Sequence, residues 1–154
     1  MTPLLTLPTP FSRRISASME DVAALNDAFA TWAGQVALPR RTAFHVELIL
    51  EELLTNIAMH GTRPAAHGPH AAVTIDLCVA FTAAGDALSI TLRDDAPPFD
   101  MTRRAPVDTR APLAARAHGG LGVHFVTQLT ETMHYRHADG CNHLVVHKAI
   151  IPDV

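Results

Sequence analysis

Apolar residues recur every three or four positions along the first third of the chain and every second position along much of the rest. Val22, Leu25, Phe29, Trp32 and Val36 share one side of a helix. Ser18, just ahead of them, offers an oxygen to the free amides of the first turn, where Glu20 and Asp21 add favourable charge. This predicts a helix to about Gln35, preceded by a weak strand signal over residues 11–16. A second helix is predicted from Pro39, whose fixed φ suits a first helical position, through Phe44, Val46, Leu48, Ile49, Leu50, Leu53 and Ile57 to His60, with Gly61 ending it.

Residues 62–70 carry Pro64, Gly68 and Pro69 and read as a loop. The period then changes to two. Val73, Ile75, Leu77 and Val79 alternate with polar or small residues, as do Leu88, Ile90 and Leu92, and the short connector containing Gly85 predicts an antiparallel hairpin with one face of each strand buried. Residues 95–118 are rich in Pro, Ala and Arg and show no period. A short helix is predicted over 121–130, and strands over 132–138 and 142–150 form a second hairpin across Asp139 and Gly140. Helix, helix, hairpin, irregular stretch, helix, hairpin is an α+β two-layer pattern.

At 154 residues and 48% hydrophobic content, the chain can bury one core, so a single domain over 1–154 is expected. Twelve basic against fifteen acidic residues leave a net charge of −3, which gives no basis for nucleic-acid binding. An anionic ligand must therefore be held by local geometry. Residues 1–11 lack the pattern of a signal peptide, and no apolar run approaches the roughly 20 residues that span a bilayer. A cytoplasmic protein without membrane association is expected. Cys78 and Cys141 offer neither a disulfide framework nor metal-ligand spacing and are expected as reduced thiols.

Three separated stretches carry the candidate chemistry. Glu52, Asn56 and His60 are four apart, so each advances only about 40° around the helix axis and the three form one polar edge beside Leu53 and Ile57. Such an edge can be a solvated helix face. It can also be a site in which the side-chain oxygen of Asn56 ligates Mg²⁺ and Glu52 accepts a proton from an attacking hydroxyl. Asp94 ends a strand; an ionised carboxylate only accepts hydrogen bonds, so it can read the exocyclic amine of adenine, although Asp-Asp-Ala-Pro-Pro is also ordinary turn chemistry. His118 to Gly122 places glycines before a helical pattern, an arrangement whose backbone amides suit phosphate. It is not a Walker A loop, for no Gly-Lys-Ser/Thr follows. The histidines at 67, 70, 134, 137, 143 and 147 have no Cys or acidic set at ligand spacing, and polar strand faces explain most of them.

In order and company, these three stretches resemble the nucleotide-binding boxes of GHKL-type ATP-binding domains. The Pro-Pro-Phe-Asp sequence at 97–100, the N-terminal strand and helix and the closing hairpin are most similar to the bacterial anti-sigma-factor serine/threonine kinases, over nearly all of residues 11–150. The resemblance implies a Bergerat-type sandwich, a mixed, mainly antiparallel sheet covered by helices on one face, with ATP between the second helix and a mobile lid at about 96–118. It further implies Glu52 as general base, Asn56 as the Mg²⁺ ligand, Asp94 on adenine, Gly119, Gly120 and Gly122 around the phosphates, and His60, Ala96, Pro98 and Leu121 among the cofactor-binding residues. Family members commonly form homodimers, sequester a sigma factor and phosphorylate a STAS-type anti-anti-sigma protein. The family pattern favours glycine where this chain has Ala96; if that position requires positive φ, alanine costs about 1 kcal/mol. The alternative role is a catalytically weak or inactive module in which the nucleotide only gates a protein partner.

Overall fold

The computed structural model describes residues 6–61, 72–103 and 120–154, with the backbone alone described at His60 and at 120–122. In chain order the elements are β1 (Phe11–Ser16), α1 (Met19–Gln35), α2 (Arg40–His60), β2 (Thr74–Phe81), β3 (Ala87–Asp94), a 3-10 turn (Met101–Arg103), α3 (Gly120–Leu129), β4 (Thr132–Ala138) and β5 (Cys141–Ala149). The strands form one sheet in the order β1-β2-β3-β5-β4. Every pairing is antiparallel, so the sheet expected to be mixed has no parallel pair among its described strands.

Local chemistry sets the element boundaries. The Ser18 hydroxyl accepts the Asp21 amide at 3.1 Å and caps α1, while the Asp21 carboxylate accepts the Ser16 amide at 3.1 Å and ties the first turn to the end of β1. At the β4–β5 turn, Asp139 and Gly140 both adopt left-handed φ, 54° and 72°, as a two-residue type I′ hairpin turn requires. The start of α2 differs from the sequence expectation. Pro39 sits one residue outside the helix and offers no side-chain cap. The Arg40 and Arg41 amides instead donate to the Asp153 carboxylate at 2.9 and 3.3 Å. Thr42, fully buried, donates to the Ile151 carbonyl and accepts the Ile151 amide. The C-terminal residues thus cap the second helix.

The core lies between the helices and one sheet face. Ile75, Leu77 and Val79 on β2, Leu88, Ile90 and Leu92 on β3, and Leu144 and Val146 on β5 point toward it in strict alternation. From α2, Val46, Ile49, Leu50, Leu53, Leu54 and Ile57 are buried, each contributing about 1.5–3 kcal/mol of hydrophobic stabilisation. Phe11, Phe29 and Trp32 close the α1 end, with the Phe11 and Phe29 rings nearly perpendicular at 5.7 Å. Phe44 and Leu48, counted with the apolar stripe from the sequence, are exposed. They stand one turn apart on α2, beside the stripe rather than on it. On the opposite sheet face, Asp76 bridges Arg14 and Arg93 across three strands, which holds its carboxyl below the usual range, chiefly through the Arg14 hydrogen bond. Cys78 and Cys141 are both free. Among the described residues, no helix is long and apolar enough to cross a membrane.

Candidate functional site

The alternation that buries Leu88, Ile90 and Leu92 also carries Asp94, the last residue of β3, to the helix-covered face. Asn142 and Leu144 on β5 share that face, and the β3–β5 register sets Asn142 directly opposite Asp94. The end of α2 passes above them. Between the two layers lies a cavity of about 150 Å³, a size that admits one aromatic ring system. Asn56 and Ile57 of α2 and Gly61 just past its end form one wall and Asp94, Tyr135 and Asn142 of the sheet the other, with residues 96–99 and Met101 closing the side. Gly61 permits this closure, because a Cβ there would stand 2.5 Å from the Ile57 carbonyl oxygen and 3.2 Å from the Ala96 Cβ.

Three buried polar residues determine the electrostatics of the cavity: Asn56 at 7% exposure and Asp94 and Asn142 at 6% each. Asp94 Oδ1 accepts the Ala96 amide at 3.1 Å and Asn142 Nδ2 at 2.9 Å. Burial pushes the Asp94 carboxyl above its ordinary range, and those two hydrogen bonds oppose the shift. Asn142 also donates to the carbonyls of Ala96 and Pro97 and accepts the Phe99 amide and the Tyr135 hydroxyl. Asn56 contrasts with it: its Nδ2 is buried without a hydrogen-bond partner among the described residues. An orphaned amide in a cavity wall is costly unless a ligand or solvent satisfies it. The oxygen of the same side chain is a neutral hard donor, so the residue fits a hard cation as well as a polar ligand.

Several predicted site residues meet here: Asn56, Asp94, Ala96 and Pro98 all line the cavity. Glu52, one turn before Asn56, does not line it, although it is partly buried and its carboxyl is pushed up by that burial and then by Glu51. Gly120 opens α3, and Leu121 and Gly122 lie in its first turn, so the glycine stretch does begin a helix. The side chain of His60, Gly119 and the part of the expected lid beyond Arg103 lie outside the described residues. Ala96 is not strained: among the described residues, only Ala37 and Asp139 combine a side chain with positive φ. The glycine preference at that position therefore does not reflect a left-handed backbone in this chain. Sequence reasoning missed Asn142, Tyr135 and Met101. Asn142 looked like the first residue of a strand, and only the cross-strand register reveals what it faces.

Comparison with known proteins adds three findings. A family model described as a histidine kinase-like ATPase domain matches residues 15–148. No curated protein matches the sequence. Among solved structures, the RsbU and RsbW domains of Rv1364c from Mycobacterium tuberculosis superpose with a TM-score of 0.64 at 10% identity, covering 93% of this chain and 33% of that one. The histidine kinase domain of the blue-light activated histidine kinase EL346 from Erythrobacter litoralis gives 0.52 at 16% identity, covering 88% of this chain and 62% of that one. A second structure of that kinase gives 0.54 at 16% identity, covering 84% and 42%. The chain thus spans about a third of the length of the first of these proteins.

Proposed function

The chain belongs to the histidine kinase-like ATPase domain family, and from that premise we propose that it binds ATP with Mg²⁺ and acts as a protein serine/threonine kinase of the anti-sigma-factor type. One observation carries this reading. A buried carboxylate, Asp94, and a buried unpartnered amide, Asn56, face one cavity from opposite layers. A carboxylate with an unengaged oxygen suits a donor on a planar base, and a neutral amide one layer away suits the polar end of the same ligand.

In this reading Asp94 accepts the adenine amine, with Ala96 and Pro98 beside the base. The first turn of α3, with Gly119, Gly120, Leu121 and Gly122, offers its amides to phosphate, His60 borders the site, and Asn56 supplies an oxygen to the cation. Mg²⁺, when bound, offsets charge on the phosphate oxygens. Glu52 takes the proton of a serine hydroxyl as that oxygen bonds to the γ-phosphorus and the bond to ADP breaks. Burial raises its proton affinity in a direction that helps this role. Residues 1–154 act as one unit, with about 96–118 closing over the nucleotide. The protein works in the cytoplasm as a homodimer, binding a sigma factor and phosphorylating a STAS-domain anti-anti-sigma factor. The similarity to the RsbW-containing structure supports this role at the level of the fold.

In a second reading nucleotide gates a protein partner without phosphoryl transfer, and Glu52, partly buried one turn before Asn56, takes no proton. Calorimetric titration with ATP, with and without Mg²⁺, beside Asn56→Ala, tests the shared premise. Magnesium-dependent binding that the variant loses is expected; no binding at millimolar ATP removes both readings. Incubation with radiolabelled ATP and candidate STAS proteins then separates kinase from gate.

A further inference from the structure

The nucleotide reading assigns nothing to Asn142, yet this side chain has the densest polar contacts in the cavity wall. Its Nδ2 meets three acceptors: Asp94 Oδ1 at 2.9 Å, the Pro97 carbonyl at 3.0 Å and the Ala96 carbonyl at 3.2 Å. Its Oδ1 takes the Phe99 amide at 3.1 Å and the Tyr135 hydroxyl at 2.6 Å. An amide has two N–H bonds and two lone pairs, so both ends are saturated. The orientation is also fixed, since reversing the amide would set N–H against N–H at Phe99 and oxygen against a carboxylate and two carbonyls. Asn142 therefore has no hydrogen bond left for a ligand. It can act on one only through the groups it holds.

Those groups are the two sides of the base pocket. Asp94 Oδ1 is occupied by Asn142 and the Ala96 amide, while no hydrogen bond reaches Oδ2 among the described residues. Oδ2 is the oxygen left for a ligand, and the rotation that aims it is set by what grips Oδ1. The same Asn142 ties down the backbone at residues 96, 97 and 99, which closes the side of the cavity next to that oxygen. Tyr135, from edge strand β4, anchors Asn142 in turn. Three strands and a loop thus converge on one carboxylate oxygen.

We propose that Asn142 is the positioning residue that gives this site its choice of base, by holding Asp94 Oδ2 where a purine amino group is accepted and a purine carbonyl is repelled. The inference rests on the reading of Asp94 as the adenine contact. A merely structural role would loosen the pocket and weaken every nucleotide alike; a positioning role alters the ratio between nucleotides that differ only at the amine. Inosine triphosphate, with a carbonyl in place of that amine, is the probe.

The test is calorimetric titration of the full chain with ATP and with inosine triphosphate, comparing wild type, Asn142→Ala, Asp94→Asn and the double variant. Wild type is expected to prefer ATP by roughly 10- to 100-fold. Asn142→Ala is expected to bring the ratio close to one, and the double variant to discriminate no less than Asp94→Asn alone. Tyr135→Phe, which keeps Asn142 but removes its 2.6 Å anchor, is expected to lower the ratio partway, and it carries the test if Asn142→Ala does not fold. A folded Asn142→Ala, or Tyr135→Phe in its stead, that retains the full wild-type preference overturns the proposal and leaves the Asp94 reading intact. A wild-type protein that binds ATP without preferring it over inosine triphosphate overturns both, while wild-type preference that survives Asp94→Asn removes Asp94 as the reader and the inference with it.

Discussion

Asp94 and Asn142, 48 residues apart in sequence, are paired in the β3–β5 register, with 2.9 Å between the carboxylate Oδ1 and the amide Nδ2. A buried carboxylate is retained here at a thermodynamic cost. Burial holds its proton affinity above the ordinary range, so the folded state binds this proton more tightly than the unfolded chain does. The group therefore lowers stability at neutral pH, and the loss is recovered as pH falls through the raised value.

Asp94→Asn should for that reason have two opposite effects. The amide can still accept the Ala96 amide and the Asn142 donor, but it needs no buried charge. We expect the melting temperature to rise by roughly the 2–4 °C that 1 kcal/mol produces in a domain of this size. ATP binding should weaken by roughly 1–3 kcal/mol, because a donor then faces the adenine amine. Scanning calorimetry and titration on one preparation check both; unchanged ATP affinity would remove Asp94 from the site. Wild-type affinity should also decline as acidification protonates Asp94.

Glu52→Gln separates chemistry from binding. If Glu52 accepts the proton, phosphoryl transfer to a STAS substrate should fall by roughly 10²- to 10⁴-fold while the ATP dissociation constant stays within a factor of a few. The pH–rate profile should lose its acidic limb, which in wild type sits above the ordinary glutamate range because burial raises this carboxyl. Equal transfer by variant and wild type would favour a gate or another base.

The C-terminal residues should stabilise α2 in a measurable way. Asp153→Ala removes the acceptor for the Arg40 and Arg41 amides and should cost about 1 kcal/mol, the usual value of a helix cap. Thr42→Val, which strands the partly buried Ile151 amide, should cost about 1 kcal/mol or more. Urea unfolding should show lower midpoints with unchanged slopes. Stability unaffected by either change would mean that the tail does not hold the helix in solution.

Phe29→Ala tests the packing at the far end of the core. Phe29 is fully buried against Phe11 and Trp32, and its truncation should cost about 3–5 kcal/mol. Nucleotide specificity should be unaffected in the folded fraction, since the ring does not line the cavity. A loss below 1 kcal/mol would show that the cluster collapses around the void.

The sequence by itself determined which segments become helices and strands and which face each buries. The 3.6-residue period of 46–57, the alternation of 73–79 and 88–92, the Ser18 cap and the Asp139–Gly140 turn are local, because each is decided by the backbone geometry of a few adjacent residues. Asn56 and Asp94 could be singled out for the same reason: residue type and element position suffice to mark a polar group beside an apolar stripe or at a strand end. Strand order and register were decided only in three dimensions. Nothing near Asn142 in sequence states that β5, rather than β4, lies beside β3, and that adjacency alone gives Asp94 its partner. The cap on α2 comes from Asp153, 113 residues beyond Arg40, so no local signal could announce it. Phe44 and Leu48 show the converse limit. Apolarity is a property of the residue, but burial depends on what the rest of the chain places over it, and here the sheet covers the neighbouring stripe.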